Sequence, residues 1–302
     1  MPSGASFRFA AAVACGVLVF LPRESGAQAV SPSSTIDVTI PPGENYDLAE
    51  FRLWIPPSLE VVRAALVLVP GSNGDGRSMV EASLWQSLAR ARNLALVGCR
   101  FTDRPHDLPF IEEYVDVSRG SGQALLDALT GLAGTSGHPE LENAPLLLWG
   151  MSAGGQFNYE LVEWRPDRVV AFVVNKGGIY YSALLSREAR AVPGLFFTGT
   201  EDSAVRTDVI RGLFALNRRG GGLWALVDEP GIGHAIGRSA ELGAIFFDEL
   251  LPLRLPDEGD PGSGVALRDL APADGFVGEV ASGSYGPAAE ARPSGVPSAW
   301  LP

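Results

Sequence analysis

The stretch 146-LLLWGMSAGGQFNYELVEW-164 changes character in its middle. An apolar run, Leu146 to Trp149, meets Gly150-Met151-Ser152-Ala153-Gly154, and an amphipathic run with helical spacing follows. A chain with 36 glycines in 302 residues produces a G-x-S-x-G match easily by chance, so the motif alone decides little. Its flanks decide more. A strand that ends at a serine, with a helix starting directly behind it, forces a tight turn that lifts the hydroxyl above the sheet edge. Glycine is needed at 150 and 154 because side chains there would strike the neighbouring strand or helix. A plain helix N-cap is the competing role for Ser152.

Working outward, the same order recurs on both sides. "TIDVTI" (35–40) and "FRLWIP" (51–56) alternate as half-buried strands, and "AALVLVP" (64–70) is continuous and apolar, as a strand covered on both faces must be. Then come an amphipathic segment near 79–92, the strand "LALVGCRF" (94–101) and a helix over 114–133. After the opening stretch follow "VVAFVV" (169–174), a looser helical segment near 182–191, "GLFFTG" (194–199), a helix over 204–218, "LWALVD" (223–228) and a last helix over 237–251. Strand–helix alternation with apolar strands predicts an α/β fold: about eight strands, mainly parallel, with helices on both faces and an antiparallel edge.

This domain is expected to span 30–254. Ahead of it, Arg8, the apolar run 9–21 and Ala27-Gln28-Ala29 read as a secretory signal over 1–29, which places the protein outside the cytoplasm, secreted or periplasmic. Behind it, 255–302 is dense in Gly, Pro, Ser and Ala and reads as a partly ordered strap, with Phe276, Val277, Trp300 and Leu301 as anchors. The net charge is −12, and losing the signal makes it one unit more negative. Such a chain does not cling to nucleic acid or to an anionic membrane. No apolar run after the signal is long enough to span a bilayer. Cys15 leaves with the signal, so Cys99 has no disulfide partner and reads as a small buried apolar residue. Three scattered histidines and one cysteine offer no zinc cluster, and no phosphate-binding glycine motif follows a strand, so no cofactor is expected.

In an open α/β sheet, chemistry gathers in the loops beyond the carboxyl ends of the strands. Three such loops carry what acyl transfer requires. Ser152 is the nucleophile. Asp202, in "FFTGTEDSAV", is the carboxylate, although Glu201 and Asp202 are also suited to being favourable charges at a helix N-terminus. His234, in "DEPGIGHAIG", is the base, since a neutral imidazole takes the serine proton and returns it to the leaving group. His106 and His138 fall earlier in the chain. For the developing oxyanion the donors are the N–H of Ala153 and one from Ser72 or Asn73 in "PGSNGDGR". Asn175 and Lys176, at a strand's carboxyl end, and Tyr180 beyond them are candidate substrate contacts. Lys176, the single lysine of the chain, suits an anionic group or a structural salt bridge equally. Phe101, Phe110, Phe157, Tyr180 and Tyr181 suit an acyl or aryl pocket, or the core.

The order Ser152…Asp202…His234 is that of the α/β-hydrolases. From about Ala64 to Leu251, through "WGMSAGGQF", "VVAFVVNKGGIYYSA", "GTEDSAV" and "GIGH", the chain resembles secreted serine esterases of that superfamily, the dienelactone-hydrolase-like and poly(3-hydroxybutyrate)-depolymerase/feruloyl-esterase-like proteins. The resemblance implies hydrolysis of a small or oligomeric carboxylic ester through an acyl-serine. Dienelactone hydrolases proper use a cysteine, so serine here points to ordinary esters. A peptidase of the same fold and a non-catalytic binding protein on a hydrolase scaffold are the alternative readings.

Overall fold

The computed structural model describes residues 35–107, 111–256, 264–279, 285–288 and 298–302. The expected signal, with its cleavage point before Val30, lies outside the described residues, as does Phe110.

Eight strands form one sheet: β1 (Thr35–Ile40), β2 (Leu48–Trp54), β3 (Ala64–Val69), β4 (Leu94–Thr102), β5 (Leu146–Met151), β6 (Val169–Asn175), β7 (Gly194–Gly199) and β8 (Trp224–Glu229). Their spatial order is β1-β2-β4-β3-β5-β6-β7-β8. β2 runs antiparallel to both β1 and β4, and all other neighbours are parallel. The burial follows the composition. β1 alternates exposed and half-buried residues, whereas every residue of β3, β6 and β7 is buried.

Each parallel strand feeds both faces of the sheet. Ala65, Val67 and Val69 of β3 enter one core, and Ala64, Leu66 and Leu68 enter the other. Helices α2 (Ser121–Ser136), α3 (Ala153–Trp164) and α5 (Ala204–Arg219) cover the first face, through residues such as Leu125, Phe157 and Phe214. Helices α1 (Ser83–Arg92) and α6 (Ser239–Arg254) cover the second, with Trp85 and Phe247. The short α4 (Arg187–Arg190) follows β6. Cys99 is fully buried in β4, and burial pushes its thiol far above the ordinary range.

Three elements differ from the periodicity reading. The helix expected from 114 starts at Ser121, because two short 3-10 turns occupy Glu113–Arg119. A distant side chain decides this: buried Asn45 donates to the carbonyls of Glu113 and Asp116 and accepts from the Ser121 N–H. The helix near 182–191 shrinks to one turn capped by Ser186, whose hydroxyl accepts from the Ala189 N–H. Helix α6 runs on through Pro252 to Arg254; at its final turn, little of the helix lies beyond the residue that cannot donate.

Beyond α6 the chain forms a small antiparallel sheet, β9 (Phe276–Glu279), β10 (Tyr285–Pro287) and β11 (Ser298–Leu301), ordered β10-β9-β11. Of the expected anchors, Trp300 is buried, with its indole N–H given to the Pro272 carbonyl at 2.9 Å. Phe276 and Leu301 are corrected, since both remain close to half exposed. Among the described residues no helix is long and apolar enough to cross a membrane.

Candidate active site

β5 is central in the sheet and hands the chain directly to α3, so the turn between them is sharp. Ser152 takes φ 55° and ψ −120°, a strained conformation for a non-glycine residue, and such strain gathers at functional positions. The two glycines of the motif are required by packing. A Cβ on Gly150 would overlap the Gly154 carbonyl, and one on Gly154 would overlap the Val69 carbonyl of β3.

Above this turn, His234 Nε2 lies 3.0 Å from Ser152 Oγ, and its Nδ1 lies 2.9 Å from Asp202 Oδ2. The Asp202 side chain is almost wholly buried, whereas the imidazole is about one-third exposed. The other carboxylate oxygen, Oδ1, accepts the Ser203 N–H at 2.7 Å and faces Arg206 Nη1 at 3.3 Å. Burial pushes Asp202 up, but its bonds to His234 and the Ser203 N–H, with the charge of Arg206, bring it below the usual carboxylate value. Asp202 is therefore an anion that fixes the imidazole with Nδ1 as the donor. Glu201 is exposed and lies outside this chain of bonds. His106 and His138 are occupied elsewhere, by Asp103 at 3.2 Å and Glu140 at 2.9 Å.

The N–H of Ala153 opens α3 immediately beside Ser152. Facing it is the loop after β3, where a Cβ on Gly71 would touch the Ser152 Cβ at 3.5 Å. Ser72 follows Gly71 on that loop, while the Asn73 N–H is directed to the Tyr114 hydroxyl at 3.4 Å. A cavity of about 300 Å³ opens at Ser72 and Asn73, walled by Asp103, Arg104, His106 and Glu112, a polar patch not foreseen from the sequence. A larger cavity, about 820 Å³, lies at the opposite ends of the strands, between α4, the Gly220 turn and residues 266–272, and touches none of Ser152, Asp202 and His234.

The expected substrate contacts are corrected. Asn175 and Lys176 are fully buried beneath the turn, where nothing outside the protein reaches them. Lys176 Nζ forms an ion pair with Glu229 and donates to Asn175 Oδ1 at 3.0 Å. Tyr180 packs edge-on against Tyr159 with its hydroxyl enclosed. Phe101 and Phe157 are core residues, and Tyr181 is half exposed. Strand-end position marked the right neighbourhood for Asn175 and Lys176 but not which way the side chains turn.

Two outcomes follow for Lys176. Lys176→Met leaves Glu229 as a buried carboxylate without its cation, and the expected loss is about 3–5 kcal/mol, to be read from chemical denaturation. An amine-reactive ester should leave Lys176 unmodified in the native protein and label it after unfolding, as followed by mass spectrometry of peptides.

Solved structures that are similar include the poly(3-hydroxybutyrate) depolymerase LpqC from Bordetella parapertussis, with 17% identity and a TM-score of 0.53 over 76% of this chain and 94% of that one. An esterase from Pyrobaculum calidifontis is 16% identical, with a TM-score of 0.50 over 72% of this chain and 85% of that one. An S-formylglutathione hydrolase from Agrobacterium tumefaciens is 13% identical, with a TM-score of 0.50 over 72% and 93%. No family model matches the chain, and no curated protein is similar to it in sequence. At such identities the likeness speaks for the fold. The architecture on which Ser152, His234 and Asp202 converge is that of the α/β-hydrolases.

Proposed function

We propose that this chain is an exported carboxylic ester hydrolase that works through an acyl-serine intermediate. The observation that carries the reading is the unbroken line Ser152 Oγ–His234 Nε2, 3.0 Å, and His234 Nδ1–Asp202 Oδ2, 2.9 Å. His234 takes the Ser152 proton as Oγ bonds to the ester carbonyl carbon. The carbonyl oxygen becomes an oxyanion, held by the N–H groups of Ala153 and Ser72, since that of Asn73 is given to Tyr114. Collapse breaks the bond to the alcohol oxygen, which leaves with the proton from His234. Water then attacks the acyl-serine by the same steps and frees the acid. The neighbours named esterase, depolymerase and hydrolase support this class of reaction.

Among the described residues no three His, Cys, Asp or Glu side chains stand together as a metal site. The proposal expects activity to survive both a chelator and a reducing agent. Loss in EDTA that a divalent ion restores would refute it.

The test is turnover of p-nitrophenyl esters against matched peptide substrates, alongside labelling by a fluorophosphonate. Labelling with ester turnover supports the proposal. Peptide turnover alone moves the assignment to a peptidase, and failure to label indicates a binding protein on this scaffold. Export is checked separately, by finding Val30 as the first residue of material collected outside the cytoplasm.

A further inference from the structure

His234 stands on a loop whose side chains reach solvent rather than the core. Residues 234–238 are all exposed, Ile236 among them, and glycines at 231, 233 and 237 leave the backbone many conformations. Yet the imidazole is within hydrogen-bonding distance of both Ser152 and Asp202. Asp202 by itself tethers the ring; the backbone that carries the ring needs its own anchor.

The first half of the loop is tied to the turn after β7, where the Gly231 N–H donates to Thr200 Oγ1 at 2.8 Å and the Ile232 carbonyl accepts from the Glu201 N–H at 3.0 Å. The second half is held at the Ile236 carbonyl, which accepts from Ser239 Oγ at 2.7 Å and from the Ser239 N–H at 3.2 Å at the start of α6. A residue at the end of β6 ties the same carbonyl to the serine turn. Asn175 Nδ2 donates to the Ile236 carbonyl at 3.2 Å and lies 3.5 Å from that of Ala235. The carbonyl of the same Asn175 accepts the N–H of Ser152 at 2.8 Å. One residue therefore holds the nucleophile through its backbone and the segment just after the base through its side chain.

Asn175 is fixed in turn. Its Oδ1 accepts from Lys176 Nζ, which fixes which end of the amide points at the loop. Lys176 adopts a left-handed backbone, φ 53°, and its ammonium pairs with Glu229 at the end of β8. The second oxygen of Glu229 accepts the Arg238 N–H at 2.6 Å, where the histidine loop ends.

We infer that Asn175 is the positioning residue of this site, setting the Ser152–His234 separation through a brace of Asn175, Lys176 and Glu229. The inference rests on the acyl-serine reading above, but its first readout does not depend on which ester is cleaved.

The experiment compares Asn175→Ala and Asn175→Asp with the wild type. Asn175→Asp keeps the shape and the Lys176 contact but removes both donors and turns an anion toward two carbonyl oxygens. Both variants should react with a fluorophosphonate about 10–100-fold more slowly, the size expected when a catalytic group shifts by about 1 Å. With an ester substrate, kcat should fall by the same factor while KM stays within about threefold. The downfield proton resonance of the His234–Asp202 bond should broaden in both. Wild-type labelling rates in both variants overturn the inference, as does a loss confined to KM. If the wild type labels but cleaves no ester, the esterase reading fails while the positioning test remains decisive. Should either variant not fold, hydrogen exchange on the wild type takes its place. The Asn175 side-chain protons should then be as protected as the Ser152 amide, and rapid exchange overturns the inference.

Discussion

Ser152→Ala is expected to lower kcat by about 10⁴-fold or more, the scale seen when a triad nucleophile is removed. In the proposed mechanism Oγ is the atom that bonds to the acyl carbon, and it is the hydroxyl that faces His234 Nε2. Cys99, the one free thiol among the described residues, is buried in β4 and held protonated. The fold should not change. Ser152 is only partly buried, and alanine carries the same Cβ through the same strained backbone. The N–H bond to the Asn175 carbonyl is kept, because it belongs to the backbone. The thermal midpoint should therefore stay within a few degrees, as for a surface substitution of about 0.5 kcal/mol. Steady-state kinetics and a circular-dichroism melt on one preparation check both halves. A folded variant with near-normal turnover would show that the turn is not where the reaction starts.

The second large effect separates two adjacent carboxylates. Asp202→Asn is expected to cost about 10⁴-fold in kcat, as losing the tautomer-fixing carboxylate does in serine triads. Its Oδ2 accepts from His234 Nδ1, and its Oδ1 is already fixed by the Ser203 N–H and Arg206. An amide in that pocket either turns its NH₂ toward Nδ1, which forces the wrong imidazole tautomer, or turns it toward Arg206 and the Ser203 N–H, which are donors themselves. Neither arrangement stabilises an imidazolium. Glu201→Gln should cost little, because Glu201 is exposed and its tie to the histidine loop runs through its backbone N–H. Kinetics on the two purified variants decide the matter. The reverse outcome transfers the carboxylate role to Glu201 and leaves Ser152 and His234 in place.

Much of the architecture was legible because local pattern and tertiary environment agree. β3, β6 and β7 are continuous apolar runs and are buried along their whole length, whereas β1 alternates and lies at the sheet edge. Where they disagree, the distant partner prevails. The chain over Glu113–Arg119 has residues that suit a helix, but Asn45, 76 positions before Ser121, takes up the local hydrogen bonds and delays α2. No window of sequence around residue 114 contains that information.

The same division runs through the site. The sequence by itself determined the strand–turn–helix that lifts Ser152, the glycines that let β5, α3 and β3 meet, and the chain order of serine, carboxylate and histidine. Each of these depends on neighbours within a few residues, or on which strand end a residue follows. Only the tertiary structure decided that Asn175 and Lys176 turn inward. A residue at a strand's carboxyl end has a loop above it and a core beneath it, and position alone does not choose between them. The choice was made by Glu229, at the end of a strand two places away in the sheet, whose buried carboxylate needs the cation that Lys176 carries.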